Sequence, residues 1–154
     1  MKRRRGFTLL ELVIALAIIS IASGGVFLAF RQSPRRDVEN AVLQLQADLR
    51  YAQRRAIIEG RRVYIRFFQL ENRYVIRYTN PDGVDGTIRN VGLQNGVRLH
   101  HSTRPWNTDI EYLPRGTVAG AREITLANGH YSQYITIVPS GGRVRIGEIT
   151  PIRN

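Results

Sequence analysis

The sequence predicts an α+β fold in which one long N-terminal helix packs on a C-terminal antiparallel β domain. Three observations predict this fold. Residues 7–30 form an almost uncharged apolar run, residues 38–56 carry apolar side chains at helical spacing, and side chains alternate with a period of two from residue 62 onward. Because helices repeat every 3.6 residues and strands every two, the change near Gly60 marks the start of the β domain. We therefore divide the chain into segments 1–6, 7–30, 31–60 and 61–154.

The apolar run contains a single charged side chain, Glu11. A helix over residues 7–30 would be about 36 Å long, which is enough to cross a hydrocarbon core of about 30 Å. One interpretation is a secretory signal, with Ser20-Ile21-Ala22 as its cleavage site, although the apolar core of a signal is normally only about 7–15 residues long. Another is a plain membrane anchor. Neither explains Glu11, and an ionisable side chain at this depth indicates a functional site.

A third interpretation comes from the stretch "RRRGFTLLE", residues 3–11. It closely resembles the cleavage motif of type IV prepilins and type II secretion pseudopilins. The resemblance implies that residues 1–6 are a leader peptide and that a prepilin peptidase cuts between Gly6 and Phe7 and methylates the new Phe7 amine. It also implies a single-pass protein of the inner membrane whose C-terminal domain lies outside the cytoplasm. After assembly the protein would belong to a periplasmic or extracellular filament.

Cleavage at this position would give Glu11 a partner. The Phe7 amine of one subunit and the Glu11 carboxylate of its neighbour would neutralise each other inside an apolar bundle, where either charge alone is heavily penalised. A buried polar group can set the register of packed helices. We therefore expect Glu11 to fix the axial position of each subunit in the filament.

Residues 31–60 are predicted to continue the helix after a break at Gln32-Ser33-Pro34, because proline disfavours helix at the residue before it. Gly60 is a natural residue to end the helix. One apolar seam runs down the segment and should pack on a sheet, with Asp48, Arg50 and Arg54 placed elsewhere on the helix. The seam consists of Val38, Val42, Leu45, Leu49, Ala52 and Ala56.

The C-terminal segment reads as a series of short strands separated by turns. "NPDGVDG" at residues 80–86 has turn chemistry throughout, and Asn128-Gly129 predicts a tight hairpin. The expected strands are Arg62–Gln69, Arg73–Thr79, Thr87–Val91, Val97–His101, Ile110–Leu113, Arg122–Leu126, Tyr131–Val138 and Arg143–Ile146.

Three stretches resemble the GspH/FimT family of pseudopilins and minor pilins: "LRYAQRRAIIEGRRVYI" at the junction from helix to first strand, and "IEYLPRGTVAGAREITL" and "YITIVPSGGRVRI" in the C-terminal segment. The resemblance implies a pilin-like fold and a structural subunit of a type II secretion pseudopilus or type IV pilus, placed at or near the tip. The implied partners are other pilins, the prepilin peptidase, the inner-membrane assembly platform and, before assembly, membrane lipid. Residues 102–109 do not fit the family pattern.

The sequence predicts no enzyme, no cofactor and no metal site. His100 and His101 would leave opposite faces of a strand, and His130 lies in a predicted turn. Asp82 and Asp85 lack the ligand number of a calcium loop. There is no cysteine, no phosphate-binding loop and no paired-carboxylate signature.

A strongly basic composition leaves a second function open. The formal net charge is +11, and Lys2 is the only lysine among the cations, which favours acidic partners such as nucleic acid. Arg143 and Arg145 should leave the same face of a strand, next to Gly142, and Arg153 lies nearby in sequence. Some FimT-like minor pilins are DNA receptors, and they resemble this chain at Gly142, Arg143 and Arg145. A DNA receptor for natural transformation is therefore the alternative function.

Overall fold

The computed structural model describes residues 8–29, 33–80, 83–100, 109–120 and 122–152, with side chains described outside 21–29. Outside the described residues lie Gly6, Phe7, Asp82, His101 and Arg153. The same holds for most of the segment 102–109, which does not fit the family pattern. The chain forms two compact units, residues 1–33 and residues 34–154.

The described residues of the first unit form helix α1, at Leu9–Ala29. Thr8 precedes it, and the Glu11 backbone N–H donates hydrogen bonds to the Thr8 carbonyl at 3.1 Å and to Thr8 Oγ1 at 3.3 Å. Thr8 is therefore the N-terminal cap, and Glu11 occupies the third helical position, where a carboxylate also interacts favourably with the helix dipole. Counting only the described part of the chain, no helix stays apolar for long enough to traverse a bilayer.

The second unit begins with helix α2, at Pro34–Glu59. Ser33 is not helical, and proline suits the first helical position because its missing N–H would have no partner there. This confirms that the chain leaves the helical conformation before Pro34. At the other end, Gly60 adopts a φ of +62°, the left-handed conformation that commonly terminates helices.

Nine strands in two antiparallel sheets follow α2 among the described residues. The first sheet has the order β3-β2-β1-β5, and the second has the order β4-β6-β7-β8 with β9 paired to β7. The strands are β1 Val63–Phe68, β2 Arg73–Thr79, β3 Asp85–Gly92, β4 Arg98–His100, β5 Ile110–Tyr112, β6 Arg122–Ala127, β7 Tyr131–Val138, β8 Arg143–Ile146 and β9 Thr150–Pro151.

The core of this unit lies between α2 and the inner faces of both sheets. All six residues of the predicted seam are buried, with at most 1% of their surface exposed. They pack against apolar side chains of the strands, among them Ile65, Ile76, Leu126 and Ile137. The predicted packing of an amphipathic helix on a sheet is confirmed, and among the described side chains the core is formed by residues between 38 and 149. We therefore expect residues 34–154 to fold as an independent domain.

Three sequence predictions need correction. The turn "NPDGVDG" is shorter than expected, because Asp85 and Gly86 already belong to β3, where they pair with Thr79 and Tyr78. The short strand β9 was not predicted, since it is only two residues long and contains a proline. Asp48, expected away from the seam, is buried at 1% exposure, for the reason given below.

Candidate functional site

A basic cleft lies between α2 and strand β8. Arg50 and Arg54 come from consecutive turns of the helix, and Arg143 and Arg145 come from the strand. The cleft has a volume of about 440 Å³ and is lined by Arg50, Gln53, Arg54, Gly141, Gly142, Arg143, Val144 and Arg145.

The strand wall has the alternation that the sequence predicted. Arg143 and Arg145 are exposed, whereas Val144 and Ile146 are half-buried and pack against the core. The pairing of Arg143 with Val138 and of Arg145 with Thr136 fixes the register of β8 on β7. Both arginines therefore leave the face of β8 opposite to Val144 and Ile146, and both line the cleft.

Gln53 joins the two walls of the cleft. Its side-chain amide donates hydrogen bonds to the Gly116 carbonyl at 2.8 Å and to the Gly141 carbonyl at 2.9 Å. These bonds hold the turn before β8 against α2. The position of Arg143 and Arg145 relative to the helix is thus fixed by a polar contact that sequence reasoning missed.

Gly142 is required by this contact. It is buried with a φ of +60°, and a Cβ atom there would lie 2.5 Å from Gln53 Nε2 and 2.6 Å from the Gly116 carbonyl oxygen. A side chain at this position would therefore push α2 and the neighbouring loop away from β8. The geometry explains why residue 142 is glycine through packing within the domain; its part in DNA binding stays a prediction.

Within the described part of the chain, the four arginines differ from seven others of this domain in having no acidic partner. Among the described residues no carboxylate forms an ion pair with Arg50, Arg54, Arg143 or Arg145, and none lines the cleft. By contrast, other arginines form ion pairs: Arg35 with Glu39, Arg55 and Arg61 with Glu59, Arg62 with Glu111, Arg66 with Asp109, Arg73 with Glu71 and Arg89 with Asp48. The excess positive charge of the cleft is therefore available to an anion.

The outer face of the first sheet is charged but locally balanced. Arg66 holds Asp109 through two hydrogen bonds of 2.7 and 3.0 Å from its Nη2 and Nε atoms, and this bond raises the pKa of Arg66. Tyr64 donates a hydrogen bond to Asp85, which lowers the pKa of that carboxyl, whereas burial and this same bond raise the pKa of Tyr64. Since opposite charges alternate here, this face offers no net charge to an acidic partner.

Asp48 forms a buried polar centre beneath β2 and β3. Its carboxylate accepts hydrogen bonds from Tyr74 Oη at 2.6 Å, Arg89 Nη1 at 2.5 Å and Gln44 Nε2 at 3.1 Å. Burial and the bond to Asp48 raise the pKa of Tyr74, so its hydroxyl remains a donor. The carboxylate is satisfied from three sides and ties α2 to two strands of the first sheet.

The remaining predicted candidates are dispersed. Glu11 lies in the first turn of α1, and its partner Phe7 and the cleavage residue Gly6 lie outside the described residues. Arg153 also lies outside them. His100 is exposed on β4 and His130 is exposed in the β6–β7 hairpin. Within the described ranges no three histidine or carboxylate side chains come together to bind a metal ion.

Comparison with known proteins identifies the family. Residues 41–141 match the family of the type II transport protein GspH. Residues 1–27 match the prokaryotic N-terminal methylation motif. The chain belongs to the GspH family. The predicted pilin-like α+β fold is confirmed by solved structures. The minor pseudopilin EpsH from the type 2 secretion system of Vibrio cholerae superimposes with a TM-score of 0.61 at 14% identity, covering 72% of this chain and 96% of EpsH.

Other relatives come from both pili and secretion systems. The type IV minor pilin FimU of Pseudomonas aeruginosa gives a TM-score of 0.61 at 16% identity, over 74% of this chain and 90% of FimU. Type II secretion system protein H of Klebsiella pneumoniae is 36% identical over 58 residues, which is 38% of this chain and 34% of the relative. A fimbrial protein of Pseudomonas aeruginosa is 33% identical over 88 residues, 56% of each chain. The matched segment thus spans between a third and just over half of these two relatives.

Proposed function

We propose that this GspH-family protein is a minor pilin or pseudopilin, a structural subunit of a type II secretion pseudopilus or type IV pilus. The observation that carries the proposal is that one chain combines an N-terminal methylation motif at residues 1–27 with a GspH domain at residues 41–141. The motif supplies the signal for processing, and the domain supplies the displayed part of the subunit. In this proposal the protein does not act as an enzyme.

The proposed route begins in the inner membrane. The prepilin peptidase removes residues 1–6 and methylates Phe7, and the assembly platform then moves the subunit from lipid into a filament of several different pilins, where it lies at or near the tip. The apolar side chains of α1 support this route. Described residues such as Leu9, Leu12 and Ile18 are more than half exposed in the isolated chain, which favours burial against lipid or neighbouring helices.

We expect the mature protein isolated from its filament or membrane to begin with N-methylated Phe7. Gly6→Val should block this processing, because a branched side chain next to the cut hinders entry of the extended backbone into the peptidase. Ala22→Val is the matched control, since it alters only the alternative secretory cleavage site. Intact-mass and N-terminal peptide analysis measures both variants. A mature chain starting at residue 23 would contradict the proposal.

The basic cleft supports a second function, DNA binding, in which the subunit acts as a DNA receptor on a pilus. Arg143 and Arg145 are exposed on one face and are unpaired among the described residues, and guanidinium groups bind phosphate oxygens with strong charge-assisted hydrogen bonds. Gly142 holds the turn that positions them, and Arg153 remains a predicted further contact. Such binding would be independent of DNA sequence and sensitive to salt.

We expect residues 34–154 to bind duplex DNA at low salt and to lose affinity when Arg143 and Arg145 are both changed to glutamine. The logarithm of the binding constant should fall linearly with the logarithm of salt concentration, with a slope of about −0.9 for each phosphate contact. Fluorescence anisotropy with a labelled duplex measures this dependence. Changing Arg36 and Arg98 to glutamine removes the same charge from exposed positions outside the cleft and should have little effect. Absence of binding at low salt would reject this second function.

A further inference from the structure

The geometry of the cleft points to two α2 side chains that no sequence motif had indicated. We propose that Arg50 and Arg54 form a second phosphate-binding wall of the cleft that Arg143 and Arg145 also line, and that the complete cleft takes the backbone of duplex DNA in preference to a single strand. This inference rests on the second function proposed above.

The spacing of the two walls supports a shared ligand. Arg50 and Arg54 are one turn apart, which corresponds to about 6 Å along a helix, and Arg143 and Arg145 are two residues apart, about 6.6 Å along a strand. Each DNA strand carries one charge per about 3.4 Å of helix axis. Both pairs are thus far enough apart for each guanidinium to meet a different phosphate, and all four line one cleft.

The cleft is also preorganised. The two hydrogen bonds of Gln53 lock the turn before β8 onto α2. Because Gly142 has no side chain, the turn can approach Gln53 closely enough to form them. Gln53 lies between Arg50 and Arg54 in sequence. Its hydrogen bonds therefore also fix the orientation of the helix face that carries these two arginines. A preorganised site loses less conformational entropy on binding than a mobile tail would.

The chemistry of the lining selects the form of DNA. Among the residues that the structure describes, the lining consists of arginines, glycines, one glutamine and one valine, and it contains no aromatic side chain. Proteins that bind single strands generally stack bases on aromatic rings, at about 1–3 kcal/mol per base. A cleft that offers guanidinium groups and no ring gains only from phosphate charge, and duplex DNA carries twice the charge per unit length of axis that one of its strands does.

The test compares residues 34–154 with the double variant Arg50→Gln, Arg54→Gln, using a labelled 20-base-pair duplex and a single strand of the same length. We expect the double variant to bind the duplex at least about tenfold more weakly near 0.1 M salt, and the salt slope to decrease in magnitude by about 2. Arg50→Lys with Arg54→Lys should largely preserve the slope, because the charge is kept. The pair Arg36→Gln and Arg98→Gln again serves as the charge-matched control.

Each outcome separates the two proposals. If the wild-type domain does not bind duplex at low salt, DNA binding itself is rejected. If it binds, and Arg143→Gln with Arg145→Gln weakens binding while Arg50→Gln with Arg54→Gln does not, the second wall is wrong and the DNA function stands. Tighter binding of the single strand would overturn the duplex preference. Because both helix arginines are exposed and glutamine is a good helix former, folding should be retained; were the double variant to unfold, Arg54→Gln alone should lower the slope by about 1.

Discussion

Replacing Asp48 with alanine is expected to lower the free energy of unfolding of residues 34–154 by about 1–3 kcal/mol, the cost of leaving the buried Tyr74 hydroxyl without its hydrogen-bond partner. The change would leave the Tyr74 hydroxyl buried without its acceptor and the Arg89 guanidinium, whose side chain is 51% exposed, without its carboxylate. Since domains of this size are stable by only about 5–15 kcal/mol, the variant should lose a large share of its stability. Urea unfolding followed by circular dichroism measures it.

Two further variants test the origin of this loss. Tyr74→Phe in the Asp48→Ala background removes the orphaned hydroxyl, and it should recover part of the stability because both partners are then gone. Glu148→Ala, at an exposed carboxylate outside the Asp48 centre, should change the stability by less than about 0.5 kcal/mol. A loss below about 1 kcal/mol for Asp48→Ala would show that the carboxylate does not anchor α2 to β2 and β3.

The seam of α2 and most of the strands could be predicted because they depend on local periodicity. Burial of one helix face requires apolar residues at steps of three and four, and Val38 to Ala56 follow that rule throughout. The prediction for Asp48 is wrong because a charged side chain alone favours an exposed position, whereas its spacing along the helix favours a buried one. Asp48 lies three residues after Leu45 and four before Ala52, so its spacing places it on the buried face, and inward-facing Tyr74 on β2 was the available signal for a partner.

Only the strand side of the basic cleft could be predicted from the sequence. Arg143 and Arg145 alternate on a strand, and this requires nothing beyond the two-residue repeat. The other half depends on which strand α2 crosses, a long-range property that no local spacing encodes. The i, i+4 pair Arg50 and Arg54 is visible in the sequence, but such a pair is ordinarily a solvated helix face. Only the contact of Gln53 with Gly116 and Gly141 shows that this face meets β8.

For the N-terminal motif, the sequence is more informative about function than the described structure is. The motif's meaning lies in a short run of side chains that an enzyme would recognise, and the described chain begins only at Thr8. The structure adds that Thr8 caps α1 and that Glu11 occupies the third helical position. Glu11 thus has a local role at the start of α1. Any test of its role in assembly must distinguish the two roles.

Replacing Glu11 with valine is expected to leave processing intact and to abolish entry of the subunit into its filament. After cleavage the Phe7 amine of the neighbouring subunit would be buried without its counter-charge, and such an unpaired buried charge costs several kcal/mol. The measurement is the fraction of the subunit in sheared filaments relative to membranes, together with the mass of the mature N-terminus. A variant that enters the filament at the wild-type level would contradict the register role.

Glu11→Gln distinguishes register from capping. Glutamine can serve at the third position of a capping box as glutamate does, so α1 should begin as before, but it cannot neutralise an amine. If the charge matters, Glu11→Gln should fail in assembly nearly as completely as Glu11→Val. If only the helix start matters, Glu11→Gln should assemble normally while Thr8→Val fails, because valine removes the hydroxyl that accepts the Glu11 N–H. Glu39→Gln, at an exposed ion pair with Arg35, should assemble normally in either case, since surface pairs contribute at most about 1 kcal/mol.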